Sequence, residues 1–128
     1  MRKQYHSRHS ENGRLIWDID NLIELSDGFE VVAIPLDEIG EIDECYWFDS
    51  DNQPTCREIA GHAKLIEQAD LSFPIILCSN KRVMDGMHRV LKALNLGLET
   101  IDAVVFAEDP APDYVDVPLD ELPYDRDA

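Results

Sequence analysis

The sequence predicts a single small domain of the α/β (α+β) class, with a mixed sheet and flanking helices. Three observations favour this class. The chain has 128 residues, a length that suits one domain with one core. Short apolar runs typical of strands alternate with stretches whose apolar residues recur at helical spacing. Two of the predicted strands are joined by a two-residue turn, Asn80-Lys81, which places an antiparallel pair in the sheet.

The first half of the domain predicts one short helix and one strand. The helix has Asp18 or Asp20 as its N-cap and ends at residues 26–28. Its apolar positions follow helical spacing: Ile16, Ile19, Leu22, Ile23 and Leu25. A strand over 29–36 follows, and Pro35 places the end of this strand at a sheet edge or a strand exit. The acidic and aromatic segment 37–53 is predicted to form a helical turn and a loop.

The second half of the domain predicts two helices and three strands. Thr55 and Glu58 have the spacing of a capping box, which begins a helix. The buried face of that helix is predicted to consist of Ile59, Ala63, Ile66 and Ala69. Strands are predicted over 73–79, 82–84 and 100–107. Between the last two strands, a helix opens with His88 and ends at Gly97.

Composition divides the chain into three parts. Residues 1–14 are polar and basic and are predicted to form an arm, residues 15–107 the folded domain, and residues 108–128 an acidic, proline-rich tail. From residue 107 onward the chain carries eight acidic residues and one basic residue, Arg126. We expect the tail to be extended and to lie over the domain without adding to its core.

The charge of the chain narrows the range of its partners. With 27 acidic against 11 basic residues, the formal net charge is −16. Such a surface repels the phosphates of DNA and RNA, so direct nucleic-acid binding is disfavoured. Basic residues nevertheless cluster in the arm and in residues 81–92, where Asp85 is the one acid. A small basic focus on an acidic body suits a small anionic ligand better than a polymer.

The sequence also indicates where the protein resides. No apolar run approaches the ~20 residues that span a bilayer, and the first residues lack the apolar stretch of a signal peptide. The three cysteines, Cys45, Cys56 and Cys78, form no CxxC pair, so neither a disulfide framework nor a structural zinc site is predicted. We expect a cytoplasmic protein with no membrane association and no metal site of its own.

Residues 82–89 carry the strongest indication of a binding site. They predict a strand, a tight turn and the start of a helix. The first amides of a helix are unpaired and carry a partial positive charge. Gly86 lets a ligand approach the backbone, and Arg89 adds a bidentate donor for phosphate or carboxylate. The predicted ligand is therefore an anion, in the simplest case the phosphates of a nucleotide.

The residues of this turn have alternative roles. Arg89 is predicted to bind the anion, and its alternative is a salt bridge with a nearby acid. His88 binds phosphate, acts as an acid or base, or caps the helix locally. Asp85 caps the helix, orients His88, or holds Mg²⁺ through a phosphate. The aromatic residues Trp47 and Phe48 are predicted to be core or pocket wall.

Three segments resemble motifs of the ParB/sulfiredoxin superfamily. The first looks like the opening strand of that superfamily, Val32-Ala33-Ile34-Pro35-Leu36-Asp37-Glu38-Ile39, and the second like its central strand, Pro74-Ile75-Ile76-Leu77. The third resembles its ligand-binding turn, Val83-Met84-Asp85-Gly86-Met87-His88-Arg89, followed by Ala93, Leu96-Gly97 and Ile101. The resemblance covers about residues 31–106 and implies a nucleotide pocket built around Asp85, Gly86, Met87, His88 and Arg89.

The resemblance also limits the activity. The corresponding turn holds the phosphates of CTP in ParB proteins, and it handles ATP in sulfiredoxins, which use a cysteine in this turn as nucleophile. Met87 stands at the position of that cysteine, and a thioether cannot be the attacking thiolate, so a sulfiredoxin reaction is not expected. The chain is also too short and too acidic for the DNA-binding and dimerisation parts of ParB proteins.

Catalytic and auxiliary residues are harder to place. In the related ADP-dependent serine kinases a glutamate shortly after the first strand is the catalytic base, and Glu41 and Glu44 fall in the corresponding region. Glu41 and Glu44 are therefore candidate catalytic residues beside His88, although an acidic run is usually a solvated face. Arg57 lies in the first turn of the capped helix and is a further candidate for phosphate binding, whereas His62 is predicted to be structural or exposed.

Two classes of function follow from the sequence. The first is binding of a nucleotide (ATP, ADP or CTP) or a related phosphate ligand, with Mg²⁺ as a candidate partner of the phosphates and with nucleotide hydrolysis or phosphotransfer as a candidate activity. The second is a non-catalytic interaction module whose acidic tail docks on a basic protein or on a second subunit of a homodimer.

Overall fold

A computed structural model describes residues 3–124 of the chain. Residues 1–2 and 125–128, which belong to the predicted arm and tail, lie outside the described residues. Within residues 3–124 the strands are β1 (Tyr5–Ser10), β2 (Gly13–Asp18), β3 (Val32–Pro35), β4 (Ile75–Leu77), β5 (Val83–Asp85), β6 (Thr100–Val105) and β7 (Tyr114–Val115). The α-helices of that region are α1 (Ile19–Leu25), α2 (Cys56–Gln68) and α3 (Met87–Asn95). None of its helices has both the length and the apolar character needed to cross a bilayer.

The central sheet has the strand order β3-β6-β4-β5 and is mixed. β4 runs parallel to β6, and the β3–β6 and β4–β5 pairs are antiparallel. Residues 78–82 connect β4 to β5, and the amide of Lys81 donates to the carbonyl oxygen of Cys78, so the turn is centred on Ser79 and Asn80, one residue earlier than predicted. Lys81 follows the turn with a positive φ of 60°. The predicted fold class is confirmed, because helices flank a mixed sheet in a small single domain.

The two faces of the central sheet bury different partners. Side chains alternate along a strand, so Ile75 and Leu77 of β4 face one side while Ile76 faces the other. On the first side they pack with the apolar face of α3, including Val90. On the second side Ile76 packs with residues of β2 and α1, including Trp17 and Leu22.

The predicted arm is wrong for the residues that the structure describes. β1 and β2 form an antiparallel hairpin that pairs His6 with Trp17, and β7 adds a third strand on the β2 side. The sequence hid this hairpin because its polar residues dominate β1, while the apolar side chains that anchor it come from β2. The described part of the tail contains β7 and a short 3₁₀ helix at Leu119–Glu121, and it contributes Leu122 to the buried apolar residues, so the expectation of an extended tail that adds nothing to the core is wrong there.

The helices were predicted with different success. α1 begins at Ile19 with Asp18 as N-cap, so Ile16 belongs to β2 and not to the helix. The capping box of Thr55 and Glu58 is present at the start of α2. The predicted buried face of α2 is wrong, since no residue of α2 is buried and Ile59 is 56% exposed. Three residues of segment 37–53 pack against the core instead: Ile42, Tyr46 and Trp47.

The corner between β5 and α3 is built on a glycine. Gly86 is the N-cap of α3 and has a φ of +106°, which side chains with a Cβ rarely adopt. A Cβ at this position would lie 2.6 Å from Cγ2 of Ile75, which is fully buried in the core. The chain can therefore turn from strand to helix directly against β4.

Replacement of Gly86 by alanine should destabilise the domain. The backbone strain alone costs roughly 1–3 kcal/mol, and the contact with Ile75 adds to it. Urea unfolding of Gly86→Ala measures the loss. The control is Gly61→Ala in exposed α2, where a Cβ meets nothing within 4 Å and the change should stabilise the protein by about 0.5–1 kcal/mol. Equal stability of the two variants would contradict this account.

One histidine of the hairpin is held in its neutral form. The ring of His6 lies 5.7 Å from that of Trp17, and its Nε2 atom is buried with no hydrogen-bond partner in residues 3–124. Burial, and then the positive charge of Arg8, lower the pKa of His6 to about 4. The unfolded chain therefore binds a proton at His6 between about pH 6.5 and pH 4 that the folded protein does not bind.

Acid should therefore weaken the fold through His6. The free energy of unfolding should fall by on the order of 3 kcal/mol from this group as the pH drops from about 6.5 to about 4, and be unaffected by it above that window. Urea unfolding at several pH values compares the wild type with His6→Phe, which keeps an aromatic ring beside Trp17 but does not titrate. A His6→Phe curve parallel to that of the wild type would contradict the assignment.

Candidate functional site

A pocket of about 790 Å³ opens beside the corner between β5 and α3. Three parts of the chain surround it: the corner itself, the end of α2 with the connection to β4, and the connection from α1 to β3. From the corner it is lined by Asp85, Gly86, Met87, His88 and Arg89. A cleft of this size accommodates a ligand as large as a nucleotide.

The far walls of the pocket are apolar. Phe73 is 62% exposed, and Leu65 of α2 is 50% exposed. Ile23, Phe29 and Val31 line the opposite wall and are also exposed. Large apolar side chains gathered around one concavity indicate a binding surface, because scattered ones are ordinary but grouped ones leave a substantial apolar area in water.

The polar end of the pocket is the start of α3. Gly86 has no side chain with which to cap the helix, and no side-chain cap is present there. The amides of the first turn have no partner within the helix and carry the positive end of its dipole. The predicted geometry of strand, tight turn and helix start is thus present in the structure.

Arg89 lies at the pocket but its guanidinium already has partners. Nη2 donates to Oδ2 of Asp85 at 2.9 Å, and Nη1 donates to the carbonyl oxygens of Pro74 at 2.8 Å and Phe73 at 3.1 Å. Both side chains of the ion pair are 17% exposed. The salt bridge weighed as the alternative for Arg89 is therefore formed, and its acid is Asp85.

His88 occupies a different environment from Arg89. Its Nε2 atom lies 2.8 Å from Nδ1 of His62, which projects from α2. The indole of Trp47 stacks on both imidazoles, with ring centres 4.4 Å from His88 and 4.1 Å from His62. Burial, and then the nearby ring of His62, lower the pKa of His88.

The two candidate catalytic glutamates lie away from the pocket walls. Glu41 is buried, accepts a hydrogen bond from the backbone amide of Val83, and has one carboxylate oxygen without a partner among the described residues. Burial, and then the carboxylate of Glu41, raise the pKa of Tyr46 to about 12. Glu44 forms a bidentate salt bridge with Arg82, with distances of 2.6 and 2.8 Å, which lowers the pKa of Glu44.

The remaining candidates divide between core and surface. Met87 is buried and packs in the core beneath α3 while also lining the pocket. Arg57 is exposed in the first turn of α2 and is not among the pocket-lining residues. Within residues 3–124, no group of three or more His, Cys, Asp or Glu side chains is placed to hold a metal ion.

Sequence reasoning missed His62 and the apolar walls. His62 and His88 are 26 residues apart, and only the packing of α2 against α3 brings them together. Phe73 was predicted to belong to the strand over 73–79, so its exposed position at the pocket was not expected. The signal in the sequence for the histidine pair was the aromatic segment 37–53. Trp47 of this segment, which was predicted to be core or pocket wall, stacks on both histidines.

Comparison with known proteins gives no relative for this fold and site. No protein-family model matches the chain, and no curated protein or solved structure matches it either.

The Asp85–Arg89 pair should contribute more to stability than the surface pair of Glu44 and Arg82. Asp85→Asn leaves a poorly exposed guanidinium without its anion and should lower the free energy of unfolding by about 1–3 kcal/mol. Glu44→Gln is the matched acid-to-amide change at a pair that is 46% exposed, and should cost less than about 1 kcal/mol. Urea denaturation measures both. A smaller loss for Asp85→Asn than for Glu44→Gln would refute the structural role of Asp85.

Proposed function

We propose that this protein binds a nucleotide or a related phosphate ligand in the pocket at the start of α3. One observation carries the proposal: a helix start without a side-chain cap opens into an apolar-walled pocket of about 790 Å³. Backbone amides and a helix dipole favour a phosphate at one end. Apolar and aromatic walls favour a ring system at the other.

Different residues of the pocket contact different parts of the proposed ligand. The phosphates lie against the first-turn amides of α3 and the ring of His88. The base and sugar lie toward Phe29, Phe73 and Leu65. In this arrangement Arg89 fixes the corner through Asp85 and the carbonyl oxygens of residues 73 and 74, and makes no bidentate contact with the phosphates.

Magnesium fits the proposal as part of the ligand. Asp27 and Asp70 line the same pocket and would repel a free polyphosphate. A Mg²⁺ ion that arrives with the phosphates lowers their charge, and such ions use one or two carboxylates beside phosphate oxygens. The proposed ligand is therefore the magnesium complex of ATP, ADP or CTP.

The likeness to the ParB/sulfiredoxin superfamily belongs to the same proposal. Its support is that Gly86 forms a tight strand-to-helix turn at a pocket, as the motif implies. Hydrolysis or phosphotransfer is a candidate extension in which His88 contacts the transferred group. We propose binding rather than catalysis as the main function, because the carboxylates of the two candidate catalytic residues are already engaged: Glu41 by the amide of Val83, and Glu44 by Arg82.

A cytoplasmic location is proposed on the state of the cysteines. Cys45 and Cys56 are exposed and free, and Cys78 is buried and free. Exposed free thiols suit a reducing compartment.

The interaction-module alternative draws less support from the structure. Asp109 accepts hydrogen bonds from Arg8 and from the amide of Ser79. Asp113 binds Asn21 and the amide of Asp18. The first part of the acidic tail is thus bound to the domain itself and does not present these carboxylates to a basic partner.

A thermal-shift panel with ATP, ADP, CTP and inorganic phosphate, each with and without Mg²⁺, tests the proposal. A ligand at ~100 times its dissociation constant stabilises the fold by about 2.7 kcal/mol, which raises the melting temperature measurably. We expect stabilisation by at least one nucleotide. The absence of any shift across the panel would overturn the proposal.

Two matched variants show whether binding occurs in this pocket. Leu65→Lys removes an apolar side chain from the wall toward which the base lies, and the lost contact of roughly 1 kcal/mol should weaken nucleotide binding by about fivefold. Ile59→Lys makes the same charge change on the same helix at a residue that does not line the pocket, and should leave the affinity unchanged. Isothermal titration measures both affinities, and equal effects would place the ligand elsewhere.

A further inference from the structure

The two histidines at the pocket form one hydrogen-bonded unit. Nδ1 of His62 and Nε2 of His88 are 2.8 Å apart, so one of them must donate a proton to the other. Their rings lie within 22° of each other, and Trp47 stacks on both. Phe48 closes the outer side with its ring 5.4 Å from that of His62.

The geometry distinguishes three protonation states. In the neutral pair one N–H donates to the facing nitrogen. In the singly charged pair the same hydrogen bond is charge-assisted, and the face of Trp47 adds a cation–π attraction. In the doubly charged pair two N–H groups point at each other across 2.8 Å with no acceptor between them, and two like charges lie side by side. The second proton is therefore excluded while the rings keep this contact.

We propose that His62 and His88 hold at most one proton between them, and that an anion bound at the start of α3 draws this proton onto the pair. His62 is then a positioning residue, because it acts on the ligand through His88. The shared proton is a property of the ligand-free protein, whereas its coupling to the anion rests on the proposed function.

The charges around the pair are compatible with this arrangement. From β5 and α3, Asp85 and Arg89 face the same pocket but neutralise each other. From the connections on either side of the pocket, Asp70 and Asp27 line its wall. Segment 37–53 contributes the uncharged ring of Trp47, and α2 contributes His62 itself. Burial and the neighbouring imidazole lower the pKa of His88.

Linkage fixes the direction of the pH effect. An anion beside His88 stabilises the singly charged pair, so binding takes up a proton and becomes tighter as the pH falls. One shared proton limits the change in affinity to tenfold per pH unit. Two independent histidines would allow up to a hundredfold.

The first measurement is a histidine ¹⁵N NMR titration of the ligand-free protein between about pH 5 and pH 8. In His62→Gln and in His88→Gln the remaining ring of the pair should take up a full proton. In the wild type both rings together should take up one. Ile59→Gln, on the same helix, is the control and should match the wild type. Two full protons in the wild type, or curves unchanged by either variant, would overturn the shared proton.

The second measurement uses inorganic sulfate as the probe, because its charge stays constant over this pH range. Calorimetry in two buffers of different ionisation enthalpy counts the protons taken up on binding. We expect up to one proton in the wild type and none in His88→Gln. Sulfate binding without proton uptake would overturn the coupling. A shared proton seen by NMR together with no anion binding would overturn the proposed function and still support the pair.

Discussion

The contact between Gly86 and Ile75 is the constraint on which the site depends. β5 must end, and α3 must begin, within one residue, while both remain packed against β4. Only a residue without a Cβ fits this corner, because the methyl group of Ile75 fills the space that a Cβ would need. The first turn of α3 therefore lines the pocket as a consequence of core packing. The geometry of this corner of the candidate site is therefore fixed by the packing of Gly86 against Ile75.

The ion pair of Asp85 and Arg89 follows from that corner. Once Gly86 turns the chain, the residues on either side of it come together as an i,i+4 pair, and Arg89 also reaches two carbonyl oxygens of the connection to β4. Such an arginine looks like an anion-binding group in the sequence, because its helix position is the same in both roles. An anion-binding arginine and a structural arginine differ in the number of protein acceptors near the guanidinium. For Arg89, two of these acceptors are the carbonyl oxygens of residues 73 and 74, which lie outside the motif at residues 83–89.

The sequence was informative where local rules decide the conformation. Thr55 and Glu58 cap α2, and Asp18 caps α1, because each cap involves only neighbouring residues. The hairpin of β1 and β2 was missed, since its stability comes from a core contact of Trp17 that local periodicity does not show. The face of α2 was misread because a helical pattern gives the direction of an apolar stripe but not whether a core reaches it. For the site, the turn at Gly86 was predictable, and the pairing of His62 with His88 was not.

The helix α2 forms one wall of the pocket but lies outside the core. No residue of this helix is buried, so it is held by other contacts. Lys92 of α3 donates to the carbonyl oxygens of Glu67 and Ala69 at its end, and the stacked rings of Trp47, His62 and His88 fix its middle. Elements with little apolar burial open at low free-energy cost. Because Leu65 lines the pocket, a change in the charge of the proposed histidine pair would act on a helix of the candidate site and not on the central sheet.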